Sequence, residues 1–133
     1  MDYRTVHGPE GEWFIAANIR LKPDRSAESK SRLRELLQKR NQSQPVGSAN
    51  AGSVFKNPPG DFAARLIESC GLKGSRSGNA VVSGKHANFI INTGGCSAAD
   101  IESLIKHVQE VVAEKTAVNL QTEVHIIGEA AND

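Results

Sequence analysis

Between residues 47 and 59 the chain reads Gly-Ser-Ala-Asn-Ala-Gly-Ser-Val-Phe-Lys-Asn-Pro-Pro, and few backbones can carry that order. Gly47 and Gly52 are free to take positive φ and to let a ligand approach the main chain. Pro58 and Pro59 fix φ, and Pro58 pushes Asn57 into an extended conformation. A lone hydroxyl, Ser53, and the polar pair Lys56 and Asn57 therefore flank two apolar residues, Val54 and Phe55, on a constrained loop. The spacing Gly47-x4-Gly52 resembles a phosphate loop, but Ser53-Val54 stands where that motif needs Lys-Ser/Thr, and prolines follow where its helix would begin. The nucleotide-loop reading is rejected.

The segments on either side are read from their periodicity. Residues 1–12 are a polar, turn-rich lead-in expected to be flexible. From Trp13 to Leu21, alternation places Trp13, Ile15, Ala17, Ile19 and Leu21 on one face, which predicts a half-buried strand ended by Pro23. Ser26 is placed to cap a helix through Arg40, whose narrow stripe of Leu33, Leu36 and Leu37 among charges predicts a surface position. After the central loop, Asp61 is placed to cap a short helix over residues 62–70. Phe62, Ala63, Leu66, Ile67 and Cys70 would share its buried side, and Gly71 would stop it.

Residues 71–78 read as loop. Two strand candidates, Asn79 to Ser83 and Ala87 to Asn92, predict an antiparallel hairpin through Ser83-Gly84-Lys85-His86. Ser97 with Asp100 three residues on predicts a capping box for the longest helix. Its apolar face runs through Ile101, Leu104, Ile105, Val108, Val111 and Val112. Residues 123–128 predict a last strand, and 129–133 a polar tail. Helices interleaved with strands, including a tight hairpin, predict an α+β class: one domain with a small mixed or antiparallel sheet and about three helices.

With 133 residues, 38% hydrophobic, the chain has material for one modest core. A net charge of +1 and no long block of one sign give no electrostatic case for nucleic acid or an anionic membrane surface. Cys70 and Cys96 form no Cys-x-x-Cys pair, and no secretory or spanning hydrophobic segment is present, so the expectation is reduced thiols in a cytoplasmic protein. His7, His86, His107 and His125 share no helical face, which argues against a metal site. No G-x-G-x-x-G fingerprint follows any strand.

The run Asn50-Ala51-Gly52-Ser53-Val54-Phe55-Lys56-Asn57-Pro58 resembles the signature of the UDP-N-acetylenolpyruvoylglucosamine reductases, flavoenzymes of bacterial peptidoglycan synthesis. The likeness extends to Arg40 with Gln44-Pro45, to Gly71-Leu72-Lys73-Gly74, and to Val82-Ser83 with Lys85-His86-Ala87-Asn88-Phe89-Ile90. It also takes in Leu120, Glu123-Val124 with Ile127-Gly128, and the pair Tyr3-Arg4 at the front edge. The chain departs from the family's usual pattern at Thr5-Val6, at Ser77 and Asn79, at Thr122, and at Thr116-Ala117, where Phe-Gly is frequent. The family's long FAD-holding N-terminal region has no counterpart in these residues, so the resemblance implies a C-terminal, substrate-side portion that is inactive alone.

The resemblance implies the chemistry as well. In the complete enzyme, NADPH and FAD would reduce the enolpyruvyl group of UDP-N-acetylglucosamine enolpyruvate, and the site must spread negative charge and then return a proton. Arg4 matches the family's enolate-stabilising arginine, the alternative being a solvated side chain near a terminus. Glu123 matches its catalytic glutamate, which would have to be protonated to donate a hydrogen bond. A solvent-facing glutamate at a strand edge is the alternative. Ser53 matches the general acid: a hydroxyl is a very weak acid, so it protonates only a far more basic carbanion and must be resupplied. Lys56, Asn57 and His86 are expected near the substrate, with Lys56 and Asn57 suited to diphosphate or carboxylate. Tyr3 would border flavin or substrate, or be an ordinary core or surface aromatic. Two rival readings stay open: a non-catalytic module for nucleotide sugars or anions, and a structural or interaction domain. For the last strand the expectation is mobility or self-association through its unpaired edge, with the missing flavin-bearing region as the other partner.

Overall fold

The computed structural model of the chain describes residues 8, 9, 11, 13, 15–23 and 28–128. The core is organised by the helix that the sequence marks most clearly, Ala98–Thr116. Ser97 Oγ accepts from the Asp100 N–H at 3.1 Å, and the Asp100 carboxylate accepts from the Ser97 N–H at 3.0 Å, so both halves of the capping box form. Leu104, Ile105, Val108 and Val112 are buried along one stripe, with Ile101 and Val111 partly covered beside them. Each such aliphatic removed from water contributes about 1.5–3 kcal/mol. The helix ends where Ala117 turns left-handed at φ 56°.

In chain order the elements are α1 (Glu28–Ser43), α2 (Ala63–Ser69), β1 (Arg76–Ser77), β2 (Ala80–Val82), β3 (Ile90–Asn92) and α3 (Ala98–Thr116). The three strands form one antiparallel sheet in the order β1-β2-β3, with Arg76 opposite Val81 and Val82 opposite Ile90. Packed on the sheet and on α2, α3 closes a single core around Ile67, Leu104, Val82 and Phe55. This is the expected α+β class, with three helices and a small antiparallel sheet.

Several expectations are corrected. The strand from Trp13 to Leu21 does not form among the described residues: Trp13 is 88% exposed and Ile15 97%, and the segment pairs with no described strand. Alternation supplies a face that could be buried, but a strand also needs a ladder partner and a core to cover that face. The last strand is likewise missing, since residues 123–128 hold no strand and the pairing stops at one bridge between Phe55 and Thr122. Residues 76–77, read as loop, form β1, because Gly78 at φ 51° folds them back onto β2. As expected, α1 is a surface helix with no buried residue, though it runs to Ser43 instead of Arg40. Its expected cap, Ser26, lies outside the described residues, as do the 129–133 tail and most of the 1–12 lead-in.

Asp61 does not cap α2. Its Oδ1 accepts from the N–H of Phe62, and both of its oxygens pair with Arg65, which with the Phe62 N–H holds its pKa down at about 2. Asn57 reaches forward instead, and its Oδ1 accepts from the Ala63 N–H at 3.1 Å. Phe62, expected on the buried side, stays outside at 66% exposed, because the helix begins one residue after it. At the other end Gly71 takes φ 77° as the predicted stop, and Lys115 of α3 donates to the Cys70 carbonyl at 3.1 Å.

Candidate functional site

The central loop is laced to itself before it meets anything else. Ser48 Oγ donates to the Pro45 carbonyl at 2.7 Å, Asn50 Nδ2 to the Ser48 carbonyl at 2.8 Å, and the Gly52 N–H to Asn50 Oδ1 at 2.9 Å. The last of these is an Asx turn, and it delivers the chain to Gly52 at φ 85°, a conformation that glycine takes without a Cβ clash. A bridge between Asn50 and Ile91, with the Asn92 N–H donating to the Ala49 carbonyl at 2.9 Å, fastens the loop to the edge of β3.

Beyond Ser53 the chain dives. Val54 and Phe55 are buried between two neighbours that supply every backbone partner. On one side the Asn88 side chain, 4% exposed, pairs with Phe55 like a second strand. Its Oδ1 accepts from the Phe55 N–H at 2.9 Å, and its Nδ2 donates to the Phe55 carbonyl at 2.8 Å. The Val54 N–H donates to the Asn88 carbonyl at 2.9 Å. On the other side the Glu123 N–H donates to the Val54 carbonyl at 2.7 Å, and the Lys56 N–H to the Gln121 carbonyl at 2.8 Å. Residues 54–56 thus run as a short inner strand between the β2–β3 turn and the chain's last described segment.

Ser53 sits at the mouth of this arrangement, half-buried on the wall of a cavity of about 320 Å³ that it shares with Arg40, Gln44, Asn50, Gly52 and Phe89. Its hydroxyl makes no hydrogen bond to another described residue, so the group is available to a ligand. Arg40 Nε donates to Gln44 Oε1 at 3.3 Å, tying together two residues of the same wall. A second hollow of about 450 Å³ lies on the far side of Asn50 and Val54, walled by aliphatics such as Ile101 and Ile127, and it does not include Ser53.

Of the residues expected to carry function, Glu123 meets the segment directly after Ser53 through its backbone, its N–H bonding the Val54 carbonyl, and its Oε2 atom is buried. Lys56 follows on the same inner strand with its side chain exposed. Asn57 is half-buried with one amide oxygen committed to the start of α2. His86 lies in the β2–β3 turn, where its Nδ1 accepts from the Asn88 N–H at 3.3 Å and its ring meets Phe89 edge-on at 4.8 Å. Burial pulls its pKa below the ordinary histidine value, so the ring is neutral at pH 7. Tyr3 and Arg4 lie outside the described residues. Sequence reasoning assigned no role to Asn88, although a polar residue inside the apolar run Ala87 to Ile91 is a signal that something buried needs a partner.

The class is set by these features: a small α+β domain that presents an unengaged hydroxyl on a rigid loop, at the wall of a polar cavity. The family model of the UDP-N-acetylenolpyruvoylglucosamine reductase C-terminal domain matches residues 44–127, starting directly after α1. A UDP-N-acetylenolpyruvoylglucosamine reductase from Alkalilimnicola ehrlichii is 57% identical over 96% of this chain and 43% of its own length. One from Nitrosococcus oceani is 54% identical over 98% of the chain and 44% of its own length. The crystal structure of the corresponding Thermus caldophilus reductase superposes with a TM-score of 0.66 at 39% identity, covering 80% of this chain and 37% of that one. The chain belongs to the UDP-N-acetylenolpyruvoylglucosamine reductase C-terminal domain family. It spans somewhat under half the length of the curated relatives it matches.

Proposed function

We propose that these residues are the substrate side of a cytoplasmic reductase that converts UDP-N-acetylglucosamine enolpyruvate to UDP-N-acetylmuramate in peptidoglycan synthesis. FAD and NADPH are held outside them, and alone they bind substrate without turning it over. The observation that carries this reading is the unengaged Ser53 hydroxyl on the wall of the polar cavity, directly before an inner strand that the Glu123 N–H joins at the Val54 carbonyl. A flavin does not suit the described residues. The amide end of α3 is already taken by the Asp100 carboxylate, which repels a diphosphate, and α2 has only 7 residues.

Adding a hydride to the enol ether, the part of the reaction a reduced flavin supplies, leaves negative charge on the neighbouring carbon and its carboxylate. What this chain must do is hold that charge and return one proton. Ser53 suits the return of the proton. Its hydroxyl is unengaged by described residues and fixed from both sides, so its proton can pass to the carbanion while water resupplies it. Glu123 and Arg4 would hold the carboxylate, Lys56 and Asn57 an anionic group of the substrate, and Tyr3 and His86 would border it. The exposed residues Ile126 and Ile127 support a role for the last segment as a contact, either with the flavin-bearing part or with another copy of the chain.

The test is made in a complete reductase containing this sequence. Ser53→Ala is expected to lower turnover by about 100-fold or more with substrate affinity nearly unchanged, the scale of losing a positioned proton donor. Ser53→Cys should retain more activity than alanine. Full turnover with loosened substrate would make Ser53 a binding contact and overturn its role as proton donor.

A further inference from the structure

The Phe55 peptide poses a problem that any chain building this loop must solve. Phe55 is 2% exposed, and its N–H and carbonyl both point away from the bridge to Thr122, into a region where no strand backbone lies alongside. An unpaired buried amide is costly. Asn88 meets the need with its side-chain amide, the one short group that offers an acceptor and a donor in the geometry of a peptide. Its own backbone is fixed in turn. The Asn88 N–H donates to His86 Nδ1, and buried Ser83 holds the turn by accepting from the N–H groups of Lys85 and His86 at 3.1 and 3.3 Å.

We infer that Asn88 is the positioning residue for Ser53, acting through the Val54 and Phe55 peptides without touching substrate. The inference rests on the reading of Ser53 as proton donor. Three hydrogen bonds from this one residue span the two positions directly after Ser53, at 2.8 to 2.9 Å, so the direction in which the chain leaves Ser53 is set by Asn88. Loss of the clamp lets residues 53–55 shift, and a displacement of about one ångström at a proton donor costs rate far more than it costs binding.

The test is a double-mutant cycle in the complete reductase. Asn88→Asp keeps the size and the acceptor for the Phe55 N–H, but loses the donor and sets a charge against the Phe55 carbonyl. Turnover is expected to fall about 30- to 100-fold with KM changed less than about threefold. The pair Ser53→Ala with Asn88→Asp should be no slower than Ser53→Ala alone, within about threefold, because the clamp has nothing left to aim. Leu66→Ala, a core truncation in α2 away from the loop, serves as the control for mere destabilisation and should keep its turnover below its melting temperature. Losses that multiply in the pair, or an equal loss in the control, would overturn the inference while leaving the role of Ser53 intact. Full turnover in Ser53→Ala would instead remove the reading of Ser53, and the inference with it.

A measurement on the unsubstituted chain holds even if the variants fail to fold. The Nδ2 protons of Asn88 should exchange with solvent about 100-fold more slowly than those of exposed Asn41. Equal exchange would show that no clamp exists.

Discussion

The carboxylate of Asp100 lies against the bare α-carbon of Gly78, filling the space that a Cβ there would need. Asp100 is thereby the joint between two elements: it closes the capping box of α3 and takes a backbone hydrogen bond from Asn79 at the β1–β2 turn. Those hydrogen bonds, that from the Ser97 N–H first, hold its pKa below the ordinary aspartate value. Gly78→Ala should therefore destabilise by about 1–3 kcal/mol, combining a strained positive φ with overlap on Asp100. Gly84→Ala, which has open space and no such φ, should stay within about 0.5 kcal/mol. Denaturant midpoints of the two variants check this, and equal midpoints would contradict it.

Ala117 ends α3 at φ 56°, the left-handed position that glycine fills most easily. Ala117→Gly should raise stability by about 0.5–1 kcal/mol, the relief of left-handed strain exceeding the extra freedom of glycine in the unfolded chain. A lowered melting temperature would show that the strain is absent.

The Asp61 carboxyl, paired with Arg65, has its pKa lowered from 3.8 to about 2. A depressed acid contributes stability above its unfolded value and loses it as the pH falls through the folded one. This contribution should thus be complete above about pH 4 and fade towards about pH 2. Carbon-detected titration of Asp61 should give a midpoint well under 3.8, and Arg65→Gln should return it towards that value.

His86 depends on protons in the same direction, in a higher pH range. Burial lowers its pKa from 6.5, so the unfolded chain takes up a proton at a pH where the folded chain does not. Its contribution is complete above 6.5 and declines as the pH falls from there towards the folded value. Protonation also removes the Nδ1 acceptor that receives the Asn88 N–H. The imidazole resonance of His86 should titrate below 6.5, with the Asn88 amide shifting at the same midpoint; a midpoint above 6.5 would refute the assignment.

Lys56 should divide from Ser53 in kinetics. Its side chain is exposed and makes no ion pair with a described residue, while its backbone carries the inner strand. In the complete reductase Lys56→Ala should raise KM by about tenfold, the worth of one charge-assisted contact, and leave turnover within about threefold. A turnover loss on the scale of Ser53→Ala would place Lys56 in the chemistry itself.

Local order in the chain was enough to determine α3, since cap, apolar stripe and length all lie close together in sequence and reinforce one another. The same holds for the stop of α2 at Gly71 and for the loop around Ser53, whose prolines restrict their own backbone and whose glycines take positive φ; the hairpin was legible as a pairing, but β3 starts at Ile90 where Ala87 was expected. Tertiary structure decided everything that needs a partner far along the chain. The alternation from Trp13 to Leu21 predicted a strand that found no ladder, whereas residues 76 and 77, with no pattern of their own, became β1 because β2 lay beside them. Asn57 supplanted Asp61 at the start of α2 because a side-chain oxygen six residues away in sequence lay closer to the open N–H. Glu123 reaches the segment after Ser53 only because Val54 is paired from both sides, by Asn88 and by Glu123 itself. Hydrogen-bond partners across such separations leave no periodic trace in the sequence, since each depends on where the rest of the core has put the other.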